Sequence, residues 1–121
     1  MTKTIMVIDD SASLRESVID VLGDAGYYVM AAADGKEALG MLDGRRVDLM
    51  ICDVHMPRMD GITFVKEAKR LPEYRFVPII MLTTESSENK REAGHMAGAK
   101  AWVVKPFRAE QILHAVSKLM S

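Results

Sequence analysis

Val47-Asp48-Leu49-Met50-Ile51-Cys52-Asp53-Val54-His55-Met56-Pro57-Arg58-Met59-Asp60-Gly61 joins a continuous apolar run to one carboxylate and then to a loop. Leu49 to Cys52 shows no polar alternation, the pattern of a strand covered on both faces in a parallel sheet. The run ends on Asp53, which puts that acid at the carboxyl edge of the sheet, where open α/β sheets bind ligands. Pro57 lies in the following loop, and Asp60-Gly61 opens the next segment. Asp53 is therefore the candidate reactive group, with the rest of the chain positioning it.

Toward the N-terminus, Ile5 to Ile8 reads as a short buried strand that ends in Asp9-Asp10. Ser13 and Glu16 fit a capping box that opens a helix, whose inner face is Leu14, Val18, Val21, Leu22 and Ala25. Gly26 stops it as a left-handed cap. Tyr28 to Ala32 is a second strand. Asp34 caps a short helix over Lys36 to Leu42, with Ala38, Met41 and Leu42 inward and Gly44 closing it.

Beyond the opening stretch, a helix from Ile62 to Leu71 carries the stripe Phe64, Val65, Ala68 and Leu71. Val77 to Leu82 is a fourth strand, ending in Thr83-Thr84-Glu85. Ser86 to Ala97 is a polar helix with only Ala93, Met96 and Ala97 to pack. Ala101 to Val104 is a fifth strand, ending in Lys105-Pro106. Ala109 to Met120 is the last helix, with Ile112, Leu113, Val116 and Leu119 inward. Five alternations of strand and helix call for a doubly wound (βα)5 α/β fold, a parallel sheet with helices on both faces and right-handed crossovers. Periodicity alone does not order the strands.

The 121 residues suit one domain, 49% hydrophobic and 27% charged, an ordinary globular balance. A net charge of −1 offers no electrostatic case for nucleic-acid or membrane binding. No apolar run approaches the roughly 18 residues that a membrane span needs, and the N-terminus lacks a signal pattern, so a reducing, cytoplasmic setting is expected. The one cysteine, Cys52, reads as a small buried hydrophobe. Most of the ten methionines read as filling for an irregular core, while Met56 and Met59 could face a partner from the loop.

Four strands end in functional groups: Asp9-Asp10, Asp53, Thr83 and Lys105. In a parallel sheet these share one edge. Three carboxylates together repel, and a hard divalent cation such as Mg²⁺ compensates them with oxygen ligands. Metal, nucleophilic carboxylate, hydroxyl and ammonium are the parts that phosphoryl transfer needs. Each residue alone has a plainer reading, as a helix cap, a turn residue or a solvated lysine. Their joint placement at successive strand ends carries the argument.

On these residues the chain resembles a receiver domain of the two-component response regulators over essentially its whole length, 1–121, as a single domain. The carrying pieces are Val7-Ile8-Asp9-Asp10, Asp53 with Met56-Pro57 and Asp60-Gly61, Thr83, and Lys105-Pro106. Thr83 stands 30 residues after Asp53, and Lys105 stands 22 after Thr83, the spacing of the stand-alone CheY-like members. The resemblance implies the flavodoxin-like strand order 2-1-3-4-5. It implies that Asp53 accepts a phosphoryl group from a histidine kinase. It implies Mg²⁺ held by Asp10 and Asp53 directly, by Asp9 largely through water, and by the His55 backbone carbonyl. Lys105 would pair with the phosphoryl oxygens, Thr83 would turn to hydrogen-bond them, and Lys105-Pro106 would be cis. An aromatic three residues before the lysine would swing inward on activation, making Trp102 a switch residue.

Two departures stand out. Trp102 occupies a position where tyrosine or phenylalanine is usual, and its plainer role is that of a core or interface aromatic. His55 stands where the chemotaxis regulator has asparagine, and with Glu85 it would flank the phosphoryl group and tune hydrolysis. The first functional expectation is thus a monomeric switch of chemotaxis type, not an enzyme. No effector domain is expected after Lys118 to Ser121, so it would act through protein contacts on the face of the fourth helix, fifth strand and fifth helix. A motor switch, a relay protein or a kinase used as a phosphate sink would be the partner. The second is a metal-dependent phosphatase with an aspartyl nucleophile, but that chemistry needs an acid where His55 stands, and the capping segments are missing. A phosphate-independent interaction module would need a broken site.

Overall fold

The computed structural model describes residues 2–120, so Met1 and Ser121, the ends of the expected 1–121 domain, lie outside the described residues. The elements run β1 (Thr4–Ile8), α1 (Ala12–Asp24), β2 (Tyr28–Ala32), α2 (Gly35–Met41), β3 (Leu49–Cys52), α3 (Gly61–Lys69), a 3₁₀ turn (Pro72–Tyr74), β4 (Ile79–Thr83), α4 (Glu88–Ala97), β5 (Ala101–Val104) and α5 (Ala109–Met120). The strands form one parallel sheet in the order β2-β1-β3-β4-β5. This is the flavodoxin-like order that the resemblance implies.

β3 lies in the middle, and all four of its residues are buried. Met50 and Cys52 face one core with Met6, Ile8, Ile79 and Met81, which α2, α3 and α4 cover through Ala38, Phe64, Val65 and Ala93. Leu49 and Ile51 face the other with Ile5, Val7, Ile80 and Leu82, which α1 and α5 cover through Val18, Leu22, Ile112 and Val116. Both faces of the strands are apolar because both are covered, which is why the strands do not alternate in sequence. Cys52 is fully buried.

Local differences from the sequence reading have local causes. Ser11, not Ser13, caps α1: its hydroxyl accepts from the Leu14 amide at 3.3 Å. The Asp9 carboxylate accepts from the Ser11 amide two residues on, at 2.9 Å, and this Asx-type turn brings the chain into the helix early. α3 ends at Lys69, and Leu71 is extended (φ −82, ψ 121), because a residue before proline avoids the α region. Met96 is 79% exposed. The inward residues of α4 are instead Ala93, Gly94 and Ala97, with Gly94 buried. Met56 and Met59 are partly buried and pack against the core. Gly26 adopts the positive φ, 97, that ends α1, whereas α2 ends at its C-cap Leu42, and Gly44, expected to close it, turns the chain at φ 101 two residues further on.

Candidate functional site

Asp9 follows β1, Asp53 follows β3, Thr83 ends β4 and Lys105 follows β5, so all four stand on the carboxyl edge of the sheet. The Asp53 amide donates to the Ile8 carbonyl at 3.0 Å, prolonging the ladder by one residue. Its Oδ1 accepts from the Val54 amide at 2.6 Å and the His55 amide at 3.4 Å, and its Oδ2 from Lys105 Nζ at 3.1 Å. The same ammonium reaches Asp9 Oδ2 at 2.8 Å. Asp9 and Asp53 are buried, whereas Asp10 is exposed.

Burial pushes the Asp9 carboxyl above its ordinary value, against the bond from Lys105. Burial also works against the Lys105 ammonium, but its bonds to Asp9 and Asp53 prevail and raise its pKa. One ammonium thus serves two buried carboxylates. Oxygen atoms of Asp9, Asp10 and Asp53 lie within 4.8 Å of one another, so three carboxylates face the Lys105 ammonium and the Arg15 guanidinium, which donates to the Asp9 carbonyl at 2.7 Å. Closely set, hard oxygen donors with residual negative charge fit a divalent cation such as Mg²⁺.

Thr83 is fully buried, and its Oγ1 accepts from the Glu85 amide at 3.2 Å. Glu85 binds in three further directions. Its carboxylate accepts from the Ser87 amide at 3.1 Å and pairs with His55 Nε2 at 2.8 Å, while its carbonyl accepts from Trp102 Nε1 at 2.9 Å. The bonds from Ser87 and then His55 hold the Glu85 carboxyl down at about 2. His55 stands at the rim with its side chain 58% exposed. The Lys105-Pro106 peptide is cis.

Two supports lay outside the sequence reading. A Cβ on Gly61 would lie 1.8 Å from the Asp53 carbonyl oxygen, so α3 starts in backbone contact with the site. The dipeptide Asp60-Gly61 beside the acid was the available signal. Arg58 adopts φ 67 and directs its guanidinium to Asp34 Oδ2, at 2.9 Å from Nε and 2.6 Å from Nη2, tying the loop after β3 to the cap of α2. No sequence spacing announces that pair.

The Glu37 amide, and then Arg58, hold the Asp34 carboxyl below its ordinary 3.8. A depressed acid stabilises fully above its unfolded value and loses that contribution as pH falls through its folded value. Asp34→Ala is therefore expected to lower the melting midpoint at about pH 7, with a gap from wild type that narrows as pH falls below 3.8. A gap that stays constant in acid would contradict this.

The family model described as the response regulator receiver domain matches residues 5–117. The chain belongs to that family. Receiver domains act in two-component signalling, taking phosphoryl groups from histidine kinases and contacting downstream proteins. The chain is 38% identical over 120 residues to response regulator MprA of Mycobacterium bovis, covering 99% of this chain and 51% of that protein. It thus spans about half the length of the curated relatives it matches. Among solved structures it resembles the chemotaxis protein CheY4 of Vibrio cholerae, with 44% identity, a TM-score of 0.94, and coverage of 98% of this chain and 99% of that one. It also resembles the receiver domain of sensor histidine kinase PA1611 from Pseudomonas aeruginosa, described with a magnesium ion coordinated in the active site cleft. There the identity is 26%, the TM-score 0.91 and the coverage 99% of this chain and 98% of that one. Among the described residues no helix is long and apolar enough to cross a membrane.

Proposed function

We propose that residues 1–121 work as one receiver domain that accepts a phosphoryl group on Asp53 from a histidine kinase and signals by protein contact. The observation that carries this is the Lys105 ammonium shared between Asp9 and Asp53, 2.8 and 3.1 Å away, at the sheet edge. An Asp53 carboxylate oxygen attacks phosphorus. The new O–P bond forms as the N–P bond of the donor phosphohistidine breaks, and the electron pair leaves on the imidazole nitrogen. The Val54 and His55 amides and Lys105 hold the carboxylate in orientation. Asp10, Asp53 and the His55 carbonyl, with Asp9 largely through water, would hold Mg²⁺, which would supply positive charge against the phosphoryl oxygens. Lys105 then pairs with those oxygens, and Thr83 turns from the Glu85 amide to hydrogen-bond them. Trp102 follows as the aromatic switch, and the two packings exchange as a population shift.

The 44% identity to a protein named for chemotaxis favours a chemotaxis-type role. The output face would be α4, β5 and α5, the partner a motor-switch or relay protein, and the setting a monomer in the cytoplasm. Phosphotransfer profiling against the host's histidine kinases, with Asp53→Asn as the control, tests the reading. Mg²⁺-dependent transfer to wild type is expected, and transfer by no kinase would refute the reading. His55 and Glu85 would flank the phosphoryl group, so His55→Asn is expected to change the phosphorylated lifetime several-fold without preventing phosphorylation. An unchanged lifetime would remove His55 from that role.

A further inference from the structure

We propose that Gly94 is a positioning residue for Trp102. It seats the indole against α4, so that the ring holds the loop after β4 in place, and a side chain at 94 uncouples Trp102 from the site.

Gly94 lies in the interior of α4, where glycine is the poorest helix former after proline. It is also the one buried residue of that helix. The reason is steric: a Cβ there would come 2.6 Å from Trp102 Cζ3 and 3.3 Å from Cε3. The ring is rigid, and its Nε1 is bonded to the Glu85 carbonyl at 2.9 Å, so it cannot yield as a flexible chain end would. A Cβ at 94 and a seated indole exclude each other. Tryptophan on β5 and glycine on α4 are matched in size, which accounts for the bulkier aromatic at position 102.

The seat matters because of what Glu85 touches. Its carbonyl holds the indole, its amide bonds Thr83 Oγ1, and its carboxylate binds the Ser87 amide that starts α4 and His55 at the rim. On its outer side Trp102 lines a groove of about 520 Å³ with Glu88, Arg91, His95 and Lys100. One ring thus joins the outer groove to the hydroxyl of Thr83 through a single residue, Glu85. This consequence for switching rests on the receiver reading above, whereas the contact itself does not.

Trp102 is the only tryptophan, so its fluorescence reports the seat directly. Gly94→Ala is expected to red-shift the emission and increase acrylamide quenching. Its effect on stability should reverse sign with the partner. It should lower the unfolding midpoint in wild type, where the Cβ meets the ring, and raise it in Trp102→Ala, where helix propensity alone acts. Unchanged emission, or a raised midpoint in both backgrounds, would overturn the proposal. Beryllofluoride with Mg²⁺ then tests the coupling. Both wild type and Gly94→Ala should bind it, as read by fluorine NMR, but only wild type should change its tryptophan emission. An equal emission change in both would overturn the coupling. Failure of wild type to bind would overturn the receiver reading itself, while the sign reversal would still decide the seat; failure of Gly94→Ala alone would overturn the claim that position 94 acts on Trp102 and not on the acidic site.

Discussion

Asp53→Asn is expected to abolish phosphoryl incorporation while leaving the fold at least as stable as wild type. Asn keeps a carbonyl oxygen to accept from the Val54 amide, now at 2.6 Å from Asp53 Oδ1, and Lys105 keeps its 2.8 Å bond to Asp9. What disappears is one of the carboxylates within 4.8 Å of one another. Relief of like-charge repulsion is expected to raise stability by on the order of 1 kcal/mol. The reaction loses its nucleophile, and such losses reach on the order of 10⁴-fold or more. Phosphoprotein yield with a competent kinase, beside denaturant unfolding at neutral pH, measures both halves. Incorporation at the wild-type level would move the acceptor to another residue. A marked loss of stability would make the carboxylate a structural anchor.

Gly61→Ala is expected to damage fold and site together. The added Cβ would lie 1.8 Å from the Asp53 carbonyl oxygen, 2.8 Å from the Asp53 carbonyl carbon and 3.0 Å from the Val54 Cα. All three are backbone atoms, so no rotamer change relieves the overlap. Either α3 lifts, taking Phe64 and Val65 out of the core, or the segment after Asp53 shifts and carries the carboxylate off Lys105. Overpacking costs typically about 1–3 kcal/mol, and a backbone clash belongs at the upper end or beyond. Phosphorylation should slow in parallel, because small misplacements of a reacting group are costly. Gly40→Ala in α2, with nothing within 4 Å of the new Cβ, is the control and should be neutral or stabilising by about 0.5–1 kcal/mol. Equal midpoints for the two variants would show that α3 accommodates the extra carbon.

Much of the site was legible because its groups sit at strand ends, and strand ends can be read. An apolar run that stops on a carboxylate states its own register, and five parallel runs of that kind bring their last residues to one edge. Asp9, Asp53, Thr83 and Lys105 were found this way. The start of α1 was not, because Asp9 and Ser11 close a turn that competes with the capping box at Ser13 and Glu16. Met96 was assigned inward on composition. Helical phase turned it outward and left the inward position to a glycine, the residue that looks least like a core residue.

The order of hydrophobic runs and terminal acids, by itself, determined the alternating fold, the sheet edge where the polar groups gather and which acid is the candidate phosphoacceptor. These follow from local patterns, since strand burial and side-chain period are written in adjacent residues. Only the tertiary structure decided the sharing of Lys105 between Asp9 and Asp53, the contact of Gly61 with the Asp53 carbonyl, the tie between Arg58 and Asp34, and the seat of Trp102 on Gly94. Each joins separate elements of the fold. Its strength depends on distances of tenths of an ångström that residue type and spacing do not encode.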